Sequence, residues 1–244
     1  MQNAIVGLVV GKTQTIPDGK NRGIQMSEAT NRILIAIGMI AVLGGAILLQ
    51  HMGFHHAIYY LAIIIGIGMI LEFLACLWRA PRDVMFNTKN LALFLGFLAF
   101  LGLDFMAILE LGNRLNVLLM VLLIVACADV FAWFFGHQIG GDKMWEKVSA
   151  NKTWAGQVFG IIGGVVGSII YAWIVMPKID SRIVLAGIAI ALLSQYGDLT
   201  ASFVKRKLQI KDFGHILGKH GGIIDRFDGW IYVLPVLWAI LMYK

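Results

Sequence analysis

Long apolar runs separated by short polar segments dominate the hydrophobic pattern of this chain. Each run except the last, which is shorter, has about 17–25 residues, the length that an α-helix needs to cross roughly 30 Å of hydrocarbon. Backbone polar groups within lipid must be satisfied inside the segment, so the runs predict helices and not open strands. The predicted spans lie near Ile33–Leu49, Ala57–Trp78, Leu91–Leu109, Leu115–Phe135, Ala155–Met176, Ile183–Val204 and Gly229–Tyr243. The pattern therefore predicts an all-α integral membrane protein, a polytopic bundle of about seven transmembrane helices within a range of six to nine.

Composition supports this prediction and excludes other classes. Of the 244 residues, 59% are hydrophobic and 14% are charged, whereas soluble domains have about 45–50% and about 25%. A water-soluble core of this size could not hide so much apolar surface. A soluble globular enzyme, a disordered chain and a fibrous protein are thus excluded.

The few charges are distributed asymmetrically along the chain. Sixteen of the 20 basic residues lie in 1–32 and in the segments 79–89, 143–152 and 205–226, whereas the connections that alternate with them hold only Arg114, Lys178 and Arg182. The positive-inside rule places these segments in the cytoplasm. We therefore predict a cytoplasmic tail at 1–31, followed by a single membrane-embedded domain at 32–244.

Acidic residues within the predicted spans need a reason, because each costs about 2.5–3.5 kcal/mol in mid-membrane. Glu72, Asp129 and Asp198 lie within about two helical turns of the cytoplasmic ends of their helices. Their shared depth indicates a polar pocket open to the cytoplasm. The alternative is that each pairs with a nearby cation, as Glu72 could with Arg79. Asp104 lies toward the outer end and is interpreted as a structural or lipid-interface residue.

Small residues and thiols within the spans have structural interpretations. Gly160, Gly163, Gly164 and Gly167 form two interleaved G-x-x-x-G pairs, which are typical of close helix packing in lipid. Cys76 and Cys127 lie in apolar stretches without C-x-x-C spacing, so we interpret them as free core thiols.

The segment from Ser202 to Asp228 concentrates polar chemistry beside the membrane. It reads S-F-V-K-R-K-L-Q-I-K-D-F-G-H-I-L-G-K-H-G-G-I-I-D-R-F-D. Asp225 and Asp228 are three residues apart, so their carboxylates would share one face of the last helix if that helix begins there. With Asp198 from the preceding span they form a candidate Mg²⁺ site, since magnesium is typically held by one or two carboxylates together with substrate phosphates.

The same segment carries groups suited to phosphate. Gly221 and Gly222 allow the backbone to approach a ligand closely. Cations that can neutralise phosphates are Lys205, Arg206, Lys211 and Arg226. A polybasic segment that only binds anionic lipid is the alternative, but it explains neither the two aspartates nor the glycines.

These motifs resemble a known family. Ser202–Asp228 matches, position for position, the C-terminal signature S-x-x-K-R, K-D-x-G and H-G-G-x-x-D-R-x-D of the phosphatidate cytidylyltransferases, or CDP-diacylglycerol synthases. Gly197-Asp198-Leu199 matches the G-D-L that precedes this signature. The resemblance covers roughly 32–243 and rests on about a dozen fixed positions, which makes it specific.

An upstream stretch supports the resemblance with some departures. Ala128-Asp129, Gly136, Gly140, Lys143 and Ser149-x-x-Lys152-Thr153 are similar to the family's A-D-x-x-A-Y-x-x-G-x-x-x-G-[KR] and S-P-x-K-T-x-E-G. Trp133 replaces the usual tyrosine, Ala150 and Asn151 occupy the S-P-x-K segment, and Ala155 replaces the common glutamate. The departures concern the details of nucleotide contact and leave the implied reaction class unchanged.

The resemblance implies a reaction in which CTP and phosphatidate give CDP-diacylglycerol and pyrophosphate, with Mg²⁺ and a second, monovalent cation such as K⁺. It implies that Asp198, Asp225 and Asp228 hold the metal and that Lys205 and Arg206 bind phosphates. The implied contacts to CTP are Asp129, Lys143, Ser149, Lys152 and Thr153. His220 would donate to a phosphate oxygen or serve a structural role at the helix entry.

Two other functions remain open from the sequence. One is a CTP-dependent transferase with a different lipid acceptor, an isoprenoid phospholipid or a polyprenol. The other is an ion-coupled transporter that uses Asp104, Asp129 and Asp198, although this leaves the H-G-G-x-x-D-R-x-D segment without a role. We expect CTP, phosphatidate and the bilayer as partners and no nucleic acid, with a homodimer left open. The expected location is a bacterial inner membrane, with the active site and the N-terminus facing the cytoplasm.

Overall fold

The computed structural model of the protein describes residues 41, 44–49, 52–54, 56–112, 114–176, 180–216 and 221–242. The chain divides into two units, Met1–Gly44 and Gly45–Lys244, and the second contains every element named below. The predicted tail 1–31 and most of the predicted span Ile33–Leu49 lie outside the described residues, although 44–49 are helical.

Helices make up nearly all of the described chain. In chain order the elements are α1 (Ala57–Arg79), α2 (Arg82–Met85), α3 (Thr88–Leu111), α4 (Leu115–Ile139), β1 (Lys143–Trp145), β2 (Ser149–Thr153), α5 (Trp154–Val175), α6 (Ser181–Lys207), α7 (Ile224–Phe227), a 3₁₀ turn (Asp228–Trp230) and α8 (Val233–Met242). The two strands form one antiparallel hairpin between α4 and α5.

Five of these helices, α1, α3, α4, α5 and α6, have the length and apolar composition of membrane spans. Their bounds confirm the five corresponding predictions to within a few residues. Large apolar side chains such as Trp173 and Leu185 are exposed on their surfaces, as expected of helices that face lipid. The described elements are consistent with the predicted integral membrane bundle of about seven helices.

The last apolar segment differs from its prediction. Within the described residues, the regular helix α8 has 10 residues, which is about 15 Å of rise and half of a bilayer core. It begins at Val233, so Asp225 and Asp228 precede it and do not form its first turn. Asp225 lies in the four-residue helix α7 and Asp228 begins the 3₁₀ turn.

Glycines allow α5 to pack closely between α4 and α6. A methyl group on Gly163 would lie 2.6 Å from the carbonyl oxygen of Cys127 on α4. A methyl group on Gly164 would lie 2.8 Å from the carbonyl oxygen of Gly187 on α6. Both distances are shorter than a carbon–oxygen contact, so the prediction that the G-x-x-x-G pairs serve helix packing is confirmed.

An aromatic cluster holds the segment after α6 against α1 and α3. Phe213 stacks on Phe97 of α3 with ring centroids 5.7 Å apart, and its edge meets Phe73 of α1 at 6.1 Å. Phe73 and Phe97 contact each other at 4.9 Å. All three side chains are buried, so the polar signature segment is anchored by an apolar core.

Asp104 is buried in the C-terminal half of α3. Only 2% of its surface is exposed, and neither of its carboxylate oxygens has a hydrogen-bond partner among the described residues. It therefore faces other helices and not the lipid interface. Of the two interpretations given for Asp104, the structural one agrees with this burial and the lipid-interface one does not.

Candidate active site

The C-terminal half of α6 carries a row of polar side chains. Asp198, Ser202 and Lys205 are spaced four and three residues apart, which places them on one face of the helix. The hydroxyl of Ser202 donates to Oδ1 of Asp198 at 3.4 Å. The helix continues to Lys207, so this row leads toward its basic end.

The hairpin brings a cation to this row. Nζ of Lys152, on β2, lies 2.7 Å from Oδ2 of Asp198. The same ammonium donates to the carbonyl oxygen of Gln195 at 3.4 Å. The side chains of Lys152 and Asp198 are 25% and 40% exposed, so the ion pair is accessible to a solute.

Asp225 accepts three hydrogen bonds. Nζ of Lys205 donates to Oδ1 at 2.8 Å. The backbone N–H groups of Phe213 and Gly222 donate to Oδ2 at 2.8 and 2.9 Å. The carboxylate of Asp225 therefore connects the end of α6 with Phe213 of the aromatic cluster and with Gly222 of the glycine pair.

The first glycine of the pair is required by the backbone around Asp225. Gly221 has φ +83°, a region that side-chain-bearing residues rarely adopt. A methyl group on Gly221 would also lie 2.7 Å from Oδ2 of Asp225. The close backbone approach predicted for this glycine is thus an approach to the protein's own carboxylate.

Gly197 brings the 3₁₀ turn next to Asp198. A methyl group on Gly197 would lie 2.5 Å from the carbonyl oxygen of Asp228, so only glycine permits this packing. The carboxylate of Asp228 accepts the N–H of Gly229 at 2.9 Å. Burial raises the pKa of Asp228 well above its ordinary value, and the negative charge of Asp198 raises it further.

Asp129 of α4 belongs to the same neighbourhood. Its carboxylate lies close enough to Asp198 and Lys152 to interact with their charges. Its own charge contributes to the raised pKa of Asp228. The structure therefore gathers Asp129, Lys152, Asp198 and Asp228 from four different elements. The polar pocket predicted from the acids of separate spans thus has Asp129 and Asp198 as members.

Glu72 was predicted as part of the pocket but not as a site residue, and it has an unexpected partner. Its Oε2 accepts the N–H of Ile224 at 2.8 Å, and the side chain is 7% exposed. The alternative pairing with Arg79 is not needed, because the signature segment supplies the partner. No local signal could show this contact, since the two residues are 152 positions apart.

The remaining predicted site residues have varied surroundings. Arg206 donates from Nε to the carbonyl oxygen of Val148 at 3.3 Å, which ties α6 to the hairpin turn. Thr153 caps α5, with its hydroxyl accepting the N–H of Gly156 at 3.1 Å. Ser149 and Arg226 are partly buried, and Lys143 and Lys211 are exposed. His220 lies outside the described residues.

The chemistry of the acids fits a hard divalent cation. Within the described ranges, no group of three or more acidic, histidine or cysteine side chains could hold a metal ion. Magnesium does not require three protein ligands, because it is usually bound by one or two carboxylates, with waters and phosphates completing its shell. The charge of Asp198 disfavours the ionised form of Asp228, and a divalent cation between them would favour it.

Comparison with known proteins gives a family. The model of the cytidylyltransferase family matches residues 62–244. This match includes the hairpin, α6 and the whole signature segment.

Three curated relatives extend the comparison. All three are named phosphatidate cytidylyltransferase. The protein of Staphylococcus saprophyticus is 36% identical over 163 residues, which cover 64% of this chain and 61% of that protein. The protein of Staphylococcus epidermidis is 35% identical over 182 residues, covering 72% and 68%. The protein of Staphylococcus aureus is 32% identical over 216 residues, covering 86% and 78%.

Proposed function

We propose, from the premise that this chain belongs to the cytidylyltransferase family, that it is a CTP:phosphatidate cytidylyltransferase. The main observation behind the proposal is that two ion pairs, Lys152–Asp198 and Lys205–Asp225, lie along the C-terminal half of α6. They set carboxylates and cations side by side where the longest span ends. The names of the curated relatives support the same acceptor and the same nucleotide.

The proposed reaction joins a lipid phosphate to a nucleotide. A phosphate oxygen of phosphatidate attacks the α-phosphorus of CTP, and the bond from that phosphorus to the β-phosphate bridging oxygen breaks. The products are CDP-diacylglycerol and pyrophosphate. Such transfers depend mainly on positioning and charge neutralisation, so no protein nucleophile is required.

The proposed phosphate contacts come from the signature segment. Lys205 and Arg206 hold phosphates, with Lys211, Arg226, His220 and the N–H groups of Gly221 and Gly222 as further donors. Lys205 and Arg206 already donate to Asp225 and Val148, so a bound phosphate would share or replace those acceptors. The proposed contacts to CTP are Asp129, Lys143, Ser149, Lys152 and Thr153.

The proposed metal ligands are Asp198, Asp225 and Asp228. Two carboxylate oxygens offer about four acceptor positions, and Asp225 uses three of them for N–H donors. One position is therefore left for a cation. A bound Mg²⁺ would supply charge neutralisation at the reacting phosphates. A second, monovalent cation in the same site remains an expectation.

The protein is integral to a membrane, as its apolar helices indicate. We place it in the bacterial inner membrane because the curated relatives are bacterial. The basic segments 79–89, 143–152 and 205–226 would then face the cytoplasm, where CTP is available.

The test is transfer of label from α-³²P-CTP into lipid by the protein purified in detergent, with phosphatidate and Mg²⁺. We expect a labelled lipid that comigrates with CDP-diacylglycerol and an equal amount of pyrophosphate. EDTA should abolish the product. Asp228→Asn is the inactive control, and its thermal unfolding shows whether it is folded.

Two results would overturn the proposal. One is the absence of lipid product from folded protein with every acceptor tested. The other is efficient transfer to an isoprenoid phospholipid or a polyprenol with none to phosphatidate, which would retain the CTP chemistry and reject the acceptor.

A further inference from the structure

We propose that Glu72 is a positioning residue of the active site. It lies on α1, outside the signature, and fixes the two backbone segments that present Asp225. The inference deepens the proposed function and rests on it for the role of Asp225. The contacts themselves are independent of the reaction.

One face of α1 contacts the signature segment at regular helical intervals. Gly68, Glu72 and Cys76 are each four residues apart, so they form one stripe along the helix. A methyl group on Gly68 would lie 2.6 Å from Cδ1 of Ile223. The thiol of Cys76 donates to the carbonyl oxygen of Phe213 at 2.7 Å. The stripe therefore follows the signature backbone on both sides of Glu72.

Glu72 contacts two separate segments of the signature backbone, one at Gly214 and the other at Gly222 and Ile224. Oε2 accepts the N–H of Ile224. A methyl group placed on Gly222 or on Gly214 would fall on Oε1 of Glu72. At both glycines the three nearest atoms all belong to Glu72, so the absence of a side chain there makes room for this one carboxylate.

The same two segments donate to Asp225. The N–H of Phe213, which precedes Gly214, and the N–H of Gly222 both bind its Oδ2. Glu72 and Asp225 thus hold one pair of backbone segments from two directions. Displacing Glu72 would move two of the three donors that orient Asp225 and loosen its contact with Lys205.

Misplacement of reacting groups by about 1 Å can cost about 100-fold in rate. We therefore expect Glu72→Ala to lower kcat by about 10- to 100-fold and to raise the half-saturating Mg²⁺ concentration. We expect a smaller change in the KM for CTP. Glu72→Gln keeps an oxygen that can accept the N–H of Ile224, so it should retain most of the parent kcat. Glu110→Ala, which removes an exposed acid at the end of α3, is the matched control and should behave as the parent.

A second readout needs no activity. In a Cys127→Ala background Cys76 is the single thiol, and this partly buried thiol donates to the carbonyl oxygen of Phe213. If Glu72 holds the segment, Glu72→Ala should increase the rate of maleimide labelling of Cys76 at least about 10-fold below the unfolding temperature. Glu110→Ala should not. This labelling tests the positioning role even if the proposed reaction is wrong.

A pair of variants covers the case in which Glu72→Ala does not fold. Gly214→Ala places a methyl group on Oε1 of Glu72, so its kcat should fall. Glu72→Asp is one methylene shorter, so the double variant Gly214→Ala/Glu72→Asp should recover activity relative to Gly214→Ala alone. Gly96→Ala, with no atom within 4 Å of the added carbon, is the control for the glycine change.

Recovery in the double variant, or faster labelling together with a lower kcat, supports the proposal. Parent-like kinetics and parent-like labelling in folded Glu72→Ala overturn it. If that variant is unfolded, failure of Glu72→Asp to improve Gly214→Ala overturns it instead.

Discussion

Lys205 and Asp225 form an ion pair with Nζ and Oδ1 2.8 Å apart and with side chains only 11% and 7% exposed. The pair joins the last turn of α6 to the short helix α7 across 20 residues. Lys152 and Asp198 form the second pair, at 2.7 Å but with greater exposure. The two pairs have similar geometry and different burial, so their loss should have different consequences.

Removal of the buried cation should destabilise the protein. Lys205→Met leaves the carboxylate of Asp225 buried without its charge partner, which typically costs about 3–5 kcal/mol. We expect a lower thermal unfolding temperature in detergent together with loss of transfer activity. Lys207→Met, which removes an exposed cation two residues later, is the control and should stay within about 0.5 kcal/mol of the parent. Equal stability of the two variants would show that the Lys205–Asp225 pair has no structural role.

Removal of the less buried cation should instead affect function more than stability. The side chains of Lys152 and Asp198 are 25% and 40% exposed, so the loss of stability in Lys152→Ala should be smaller than in Lys205→Met. It should be closer to about 0–1 kcal/mol, which is typical of fully exposed pairs. If Lys152 neutralises CTP phosphates, kcat should fall by about 100-fold, the order seen when one charge-stabilising donor is lost. Lys147→Ala removes an exposed cation of the hairpin turn and should keep near-parent activity. A large drop in stability for Lys152→Ala would reassign this lysine to a structural role.

The spans could be predicted from sequence because the bilayer imposes one length and one composition on each. Predicted bounds such as Ala57–Trp78 and Ile183–Val204 differ by only a few residues from Ala57–Arg79 and Ser181–Lys207. The short helix α8 was predicted to be longer, because its apolar run begins at Gly229 while the backbone there forms a 3₁₀ turn. Apolar composition does not distinguish the two conformations.

The site could be predicted as a set of residues but not as a set of contacts. The motif spacing indicated Asp198, Asp225 and Asp228, and the structure places them near lysines that the sequence also indicated. The hairpin β1–β2 was missed, since Lys143–Thr153 has neither a strong alternation nor an Asn-Gly turn. The role of Glu72 was missed because its partner, Ile224, is distant in sequence.

Close packing of α5 makes a further prediction about stability. Gly163→Ala would put a methyl group 2.6 Å from the Cys127 carbonyl oxygen, and overpacking of this kind typically costs about 1–3 kcal/mol. The unfolding temperature in detergent should therefore fall. Gly102→Ala on α3, where no atom lies within 4 Å of the added carbon, should be neutral or slightly stabilising. A neutral effect at Gly163 would mean that α4 and α5 can separate without cost.

Asp228 predicts a pH-dependent trade between stability and metal binding. Its pKa in the folded, metal-free protein is raised by burial and by the charge of Asp198. The folded state therefore keeps a proton that the unfolded chain, with an aspartate pKa of about 3.9, has released. The contribution of Asp228 to the unfolding free energy therefore falls as the pH rises from about 4 toward the raised pKa of Asp228 in the folded state.

Asp228→Asn removes this unfavourable contribution. In EDTA at pH 8 the variant should unfold at a higher temperature than the parent, and the difference should shrink as the pH approaches 4. With saturating Mg²⁺ the order should reverse, because a ligand that binds only the folded state stabilises it and the variant has lost a proposed ligand of the metal. Differential scanning fluorimetry in detergent across this pH range, with and without Mg²⁺, measures both effects. A variant that gains as much stability from Mg²⁺ as the parent would remove Asp228 from the metal site, whereas a variant less stable than the parent in EDTA would show that the carboxylate is needed for folding.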